Sequence, residues 1–489
     1  MENVTVQFGW INWSILIIFL AGTTLIGHLL KGDTSSIRGF FLGGRTMPWW
    51  AVGGSIVATQ ASALTFIAVP AAVFMDGGDL TYLQMTFGFI LGNVLMALIF
   101  IKAYYREEIY SPYDFMGKRL DPRVSQLARL LFMVGAVLSQ GVRFLSTALV
   151  LSVVTGLSLG ACILIIGIFS VIWTLMGGIT TVIWTDVVQF CVFTLGALFS
   201  LFWIVGSIPG GVSEILAITD EKAKLAIIDL SLDPRKTYTL WVGLFGCSIF
   251  QLGQNAIDQV STQRLMCCKS ARDAQKSLIL AAGGVSMTYL MLAVGLGLIA
   301  FYHINPMPQE TAALMSAETD RIFPYFIVTE MPPGISGLII AALFAAGIST
   351  LDSALAALSQ TFIAGIYRPF IVKDADEPHY LKASRGAVVL WAAVLSVLAL
   401  FFHTLSTEGL LKLGLKVPGY VYGSLLGISF LALMGKGSWK GILTGTIVST
   451  GAVILLQMAG ISFFWWYPVA CIVLIAVVMT ASKYGKNYG

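Results

Sequence analysis

Within one long apolar run, the stretch Phe344-Ala-Ala-Gly-Ile-Ser-Thr-Leu-Asp-Ser353 places two adjacent hydroxyls, Ser349 and Thr350, and a carboxylate, Asp352. The run extends from near Pro333 to near Arg368, long enough to cross a bilayer as a helix. Polar and ionisable side chains cost free energy in that medium, so they mark an ion or solute path. Ser349 follows Ala346 by three residues and Thr350 follows it by four. On a helix, the Ala346 carbonyl and both hydroxyls therefore meet on one face. Three neutral oxygens gathered in this way suit a hard, weakly polarising cation such as Na+. The same hydroxyls could instead bond back to the carbonyl four residues earlier, as helical Ser and Thr do.

The elements that must carry this stretch are helices in a membrane. Of the 489 residues, 57% are hydrophobic and 11% charged, against roughly 25% charged in a soluble domain. About thirteen apolar stretches reach spanning length. They include a seventh over 240–262 and a short tenth over 386–402. No cleavable leader is expected, because Met1–Trp10 lacks a basic segment. Arg and Lys gather in alternate loops, for example Arg106, Lys118, Arg119 and Arg123, then Arg264, Lys269, Arg272 and Lys276. The intervening short loops carry Asp76, Asp79 and Glu408. By the positive-inside rule the N-terminus lies outside and the C-terminus in the cytoplasm of a plasma (inner) membrane. The longer loops 207–239 and 303–333 are then external. The net charge of +4 follows from this loop bias and does not point to nucleic acid. Six cysteines and four histidines show no disulfide framework, metal-ligand spacing or nucleophile–base pair, so an enzyme is not expected.

Two cations stand inside apolar spans. Arg143 is mid-span in Leu138-Ser-Gln-Gly-Val-Arg-Phe-Leu-Ser146, and Lys416 lies in Leu413-Gly-Leu-Lys-Val-Pro-Gly419. A guanidinium presents a planar fork that matches a carboxylate. Arg143 could equally bond backbone carbonyls or an interior acid such as Asp258. Lys416, beside Pro418 and between Gly414 and Gly419, could be a gate residue in a broken helix.

Several motifs point to one family. They are Phe40-Phe-Leu-Gly-Gly-Arg-Thr-Met-Pro-Trp-Trp50, Ser111-Pro-Tyr-Asp-Phe-Met-Gly-Lys-Arg-Leu120, Gly177-Gly-Ile-Thr-Thr-Val-Ile-Trp-Thr-Asp-Val-Val-Gln189, Asp258-Gln-Val-Ser-Thr-Gln-Arg264 and the Phe344–Ser353 stretch. Together they resemble the sodium:solute symporter family, over about residues 10 to 480. The resemblance implies an all-α, leucine-transporter-like fold with two inverted five-helix repeats in a single transporter domain, 1–489. One extra helix over 11–30 would precede a first repeat over 47–206 and a second over 240–433, with two more helices over 440–482. It also implies Na+ as coupling ion, no organic cofactor, and a small polar organic solute moved by alternating access with no obligate protein partner.

The two expected repeats each begin with a polar interruption, Ala58-Thr-Gln-Ala-Ser-Ala-Leu-Thr65 and Gln251-Leu-Gly-Gln-Asn255. Breaks at corresponding places point to a midplane site. Carried over by position, the resemblance gives a Na+ site from the carbonyls of Ala58, Ala61 and Ala346 and the hydroxyls of Ser349 and Thr350. A second cation site would draw on Asp186, Ser349, Asp352 and Ser353. There Asp352 replaces a hydroxyl of the sialic acid branch, and pairing of Asp186 and Asp352 with basic residues is the alternative. The solute would meet Gln60, Ser62, Thr65, Gln84, Gln251 and Gln254, with Ser139, Arg143 and Lys416. Ser139 stands where the sialic acid branch has a carboxylate-binding arginine, and Arg143 lies one helical turn later. Ser55 and Gly253 read as helix-packing residues. The solute is best read as acidic: a sialic acid, a sugar acid or a monocarboxylate. A neutral sugar or polyol is the alternative, and a sensor or a passive channel the reading from another class.

Overall fold

A computed structural model of the chain describes all residues except 1–7, 31, 33–38, 40–41, 62, 108, 177, 406–409 and 486–489, and only the backbone at 63, 405, 411 and 482–485. The main helices are α1 (Trp10–Leu29), α2 (Trp49–Gln60), α3 (Ala63–Phe74), α4 (Gln84–Ile99), α5 (Pro122–Thr155), α6 (Leu159–Met176) and α7 (Ile179–Ser207). They continue as α8 (Ser248–Ala256), α9 (Gln259–Met266), α10 (Ala271–Ala282), α11 (Val285–Ile304), α12 (Ile335–Phe362), α13 (Glu377–Leu405), α14 (Leu410–Lys416), α15 (Gly419–Met434), α16 (Trp439–Met458) and α17 (Trp466–Gly485). A bilayer offers the backbone no hydrogen-bond partner, so its spanning segments are helical.

Among the described residues, eleven helices are long and apolar enough to cross a membrane. The α2–α3 pair, bent by 46°, makes a twelfth. The remaining expected span, the seventh over 240–262, is present as two short helices, α8 and α9, preceded by a π-helical turn over Val242–Cys247. Its break differs from expectation. Helix α8 continues through Gln251–Asn255, and the chain opens at Ile257 and Asp258. Asp258 then caps α9, accepting a hydrogen bond from Val260 N at 2.8 Å. A carboxylate that caps a helix inside the core ends one helix and starts the next. The expected short span 386–402 is also longer, because α13 begins at Glu377.

Helix α12 forms the centre. It packs on α1, α5, α6 and α7, and is buried around nearly its whole circumference, which suits its unpatterned apolar sequence. Helix α2 lies between α7 and α10, and α3 lies along α11. Helix α4 closes on the seventh segment through a small-xxx-small pair, Gly88 and Gly92. A Cβ at Gly88 would lie 2.3 Å from the Gly243 carbonyl oxygen, and one at Gly92 would lie 2.5 Å from Gln251 Cβ.

The loop 207–239 folds back onto these helices. Lys224 is buried and donates to the carbonyls of Val73 (3.1 Å) and Met75 (2.6 Å), capping the end of α3. Arg264, grouped with the loop cations by sequence, is instead 1% exposed inside the core.

The methyl in Gly88→Ala meets backbone that cannot rotate away. Overpacking of this kind costs about 1–3 kcal/mol. Purified Gly88→Ala therefore unfolds at a lower temperature than wild type, whereas Gly451→Ala, with open space at its Cβ, does not. Equal unfolding temperatures for the two variants would contradict this packing.

Candidate functional site

The site begins at the C-terminal end of α2, where the last carbonyls run out of helical partners. The Val57 carbonyl still makes the final helical bond, accepting from Ala61 N at 2.7 Å. The Thr59 carbonyl accepts from Arg143 Nη1 at 3.1 Å, and the Gln60 carbonyl from Thr65 Oγ1 at 3.3 Å. Ala58 lies on the wall of a small cavity with Ala61, Asp186, Gln189, Ala346 and Thr350. The partial negative charge of a helix C-terminus faces this space and favours a cation.

The hydroxyl protons of Ser349 and Thr350 are already engaged. Thr350 Oγ1 donates to the Ala346 carbonyl at 2.9 Å, and Ser349 Oγ donates to Asp186 Oδ1. With its proton committed, each hydroxyl oxygen offers only lone pairs, as a metal ligand must. Four of the five expected cation ligands, Ala58, Ala61, Ala346 and Thr350, thus share one cavity. The fifth, Ser349, is fixed by the carboxylate that lines the same cavity.

The second expected cation set assembles differently. Asp186, Ser349 and Ser353 gather around the guanidinium of Arg264. Arg264 Nη2 lies 3.0 Å from Asp186 Oδ2 and 2.8 Å from Ser353 Oγ, and Nε donates to Ser55 Oγ at 2.8 Å. Ser55 in turn donates to Asp186, so it belongs to the ionic cluster as well as to the packing. The cluster ties α2, α7, α9 and α12 together. Asp352 makes no ion pair among the described residues and borders a different space.

A larger cavity of ≈ 120 Å³ adjoins the break. It is lined by Gln60, Thr65, Ser139, Arg143, Gln251 and Gln254, six of the expected solute residues. Asp258 also lines it, near enough to Arg143 for the two charges to act on one another, while Tyr422 donates to Asp258 Oδ2 at 3.2 Å. Gln84 is not part of this lining. Its Nε2 donates to the carbonyls of Thr81 (3.2 Å) and Tyr238 (3.0 Å), and its Oε1 accepts from Asp229 N (3.1 Å). Both ends of the amide thus pin the 225–240 loop. Lys416 sits at the α14–α15 junction. Gly414, Leu415 and Pro418 face the cavity there, and Lys416 does not. Ser62 lies outside the described residues.

Three functional candidates escaped the sequence reading. Gln189 lines the cation cavity, is 1% exposed, and has no hydrogen-bond partner for either amide atom among the described residues. It stands three residues after Asp186, on the same helical face, which was its available signal. Asn93 and Asn255 join Gln60 and Gln251 in one amide chain. Gln60 Nε2 donates to Asn255 Oδ1 (3.3 Å), and Asn255 Nδ2 (2.6 Å) and Gln251 Nε2 (3.3 Å) donate to Asn93 Oδ1. Asn255 follows Gln251 by four residues, so the face was legible. The partner across on α4 was not.

Comparison with known proteins agrees with the fold. The model of the sodium:solute symporter family matches residues 40–466. The chain is 31% identical over 485 residues to the sodium/sialic acid symporter SiaT of Proteus mirabilis, covering 97% of this chain and 95% of that protein. It is 28% identical over 462 residues to the human sodium/iodide cotransporter, covering 92% and 70%. Among solved structures, a Na+-coupled sialic acid symporter in a substrate-bound outward-open state superposes with a TM-score of 0.87 at 27% identity, covering 98% of each chain.

Removing one partner of a buried ion pair costs about 3–5 kcal/mol, because the other charge is left stranded. Asp186→Ala should therefore lower the unfolding temperature sharply, and adding Arg264→Met should restore most of the loss. A double variant as unstable as the single one would mean that the pair does not hold these helices.

Proposed function

The chain belongs to the sodium:solute symporter family and is a multi-pass, Na+-coupled membrane transporter, and from that premise we propose that it imports a small organic acid beside the α2–α3 break. One observation carries the reading: a single break in the backbone serves two cavities. Its carbonyl end borders the space with Thr350 and Gln189, while Gln60, Thr65 and Arg143 face the larger space. Na+ is held by the carbonyls of Ala58, Ala61 and Ala346 and the hydroxyls of Ser349 and Thr350, with the Gln189 amide as a further oxygen.

The solute carboxylate meets Arg143. The N-terminus of α3, which opens at the break, adds a favourable dipole for an anion. The relatives' own ligands, sialic acid and iodide, are both anions at neutral pH, which supports an anionic solute here. The amide chain Gln60–Asn255–Asn93–Gln251 and the amide of Gln254 offer donors and acceptors for hydroxyls or an amide on the same solute. That wall also gives the neutral sugar or polyol reading its support.

Transport proceeds by alternating access. Na+ entering from outside bridges the α2 break to α12, and solute binding then lets the bundle rock. Each positive charge moved inward gains about 2.3 kcal/mol per 100 mV of membrane potential. We place the N-terminus outside and the C-terminus in the cytoplasm, with inverted repeats over 47–206 and 240–433. Loop charge bias and the breaks near the start of each repeat support this arrangement.

A screen of the purified protein by thermal shift, in Na+ and in K+, tests the solute class. Stabilisation by sialic acids, sugar acids or monocarboxylates only in Na+ is the expected result, by mass action on the native state. Na+-dependent stabilisation by neutral sugars alone would replace the acid reading. Loss of a charged hydrogen bond costs about 1.5–3 kcal/mol, so Arg143→Gln should weaken carboxylate affinity by about 10- to 100-fold while Na+ binding without solute changes little. Thr350→Ala should raise the Na+ concentration for half-maximal uptake about tenfold, the equivalent of about 1.4 kcal/mol. Unchanged Na+ dependence in Thr350→Ala would remove that hydroxyl from the site.

A further inference from the structure

Helix α5 puts Gln140, Arg143 and Thr147 on one face, at spacings of three and then four residues. Gln140 and Arg143 both line the solute cavity. Both also line a second, much smaller crevice of ≈ 10 Å³, with Thr147 of the same helix and Gly347 and Thr350 of α12. The two helices are close here: a Cβ at Gly347 would lie 2.1 Å from Thr147 Cγ2. The crevice therefore has firm walls and room for about one water-sized atom.

Apart from the guanidinium, its polar side chains offer acceptors. Thr147 Oγ1 has given its proton to the Arg143 carbonyl (3.2 Å), and Thr350 Oγ1 has given its own to the Ala346 carbonyl (2.9 Å). Lone pairs are what both oxygens have left. Gln140 is 6% exposed, and its Oε1 has no hydrogen-bond partner among the described residues. A buried amide oxygen without a donor is costly, so it points to a partner that arrives from elsewhere. What the crevice calls for is one small group with a hydrogen to donate.

We propose that the transported acid carries a hydroxyl on the carbon next to its carboxylate, and that Gln140 selects for it. This rests on the reading that Arg143 holds the carboxylate. With the carboxylate there, a 2-hydroxyl is the donor nearest the guanidinium, and a single oxygen is what the crevice admits. The hydroxyl donates to Gln140 Oε1, and its own lone pairs stay on the Arg143 side. An acid without that hydroxyl leaves the Gln140 oxygen unpaired. A 2-keto acid sets an acceptor against an acceptor. A 2-ammonium group could donate, but it places a second positive charge beside the guanidinium, and no carboxylate lines the crevice to offset it. The chemistry therefore favours 2-hydroxy acids over unsubstituted, keto and amino acids.

Titration calorimetry of the purified full-length protein in NaCl tests this with matched acids: lactate and propionate, D-gluconate and 2-deoxy-D-gluconate, and N-acetylneuraminate and its 2-deoxy analogue. In the wild type, the hydroxy acid of whichever pair binds should bind about tenfold tighter than its partner. Gln140→Met nearly keeps the volume and removes the acceptor. It should bring that ratio toward one, through weaker binding of the hydroxy acid alone. Gln140→Asn keeps an amide but withdraws it by one methylene, and should lower the ratio likewise should the Met variant fail to fold. Equal wild-type affinities within the pair would overturn the proposal and leave water as the occupant of the crevice. A ratio unchanged by both substitutions would overturn it too, because another acceptor then reads the hydroxyl. Binding of none of these acids in Na+ would instead contradict the acidic-solute reading itself, and this inference with it, so the two failures are told apart.

Discussion

A helix cannot simply stop inside a bilayer. Every amide and carbonyl released by the break between α2 and α3 must find a partner that is not water. The chain meets this demand with specific groups: Arg143 on the Thr59 carbonyl and Thr65 on the Gln60 carbonyl. Ala58 lines the small cavity with Thr350 of α12. In the reading proposed above, a cation there joins the broken segment to α12, which is buried around nearly its whole circumference. The same guanidinium that satisfies Thr59 also lines the solute cavity. In that reading ion and solute act on one backbone defect, which would be the physical basis for coupling.

The ionic cluster below the break serves a different purpose. Arg264, Asp186, Ser55, Ser349 and Ser353 connect four helices through fully satisfied charges. Breaking such a cluster is costly, while replacing it wholesale with apolar groups need not be. Its value is orientation: Asp186 engages the Ser349 proton and leaves that hydroxyl oxygen its lone pairs. Asp352, one turn along α12 from Ser349, takes part in no ion pair among the described residues and lies beside Ser170 and Thr174 of α6.

Much of the local chemistry was legible in the sequence, because helical spacing alone sets which side chains share a face. The Ala346–Ser349–Thr350 set and the break at Ala58–Thr65 follow from spacing and polarity. Contacts between helices were less legible. Gln84 looked like a solute ligand as a buried amide near the break, yet loop carbonyls and an amide from 225–240 use both of its ends. Arg264 was read as a loop cation, because charge near a span end ordinarily marks the cytoplasmic side. The break at Asp258 dips inward and buries it. Asn93 and Gln189 acquire meaning only through partners or cavities on other helices. Lys416 stood beside the right residues, but the α14–α15 junction turns its neighbours toward the cavity in its place.

The central claim is that one break couples ion and solute, so their binding must be reciprocal: the factor by which Na+ raises solute affinity equals the factor by which solute raises Na+ affinity. Calorimetric titration of the purified protein measures both factors, with the acidic solute at low and saturating Na+ and with Na+ at zero and saturating solute. The account predicts two equal factors well above one in the wild type, both falling toward one in Thr350→Ala. Solute affinity independent of Na+ in the wild-type protein would contradict it.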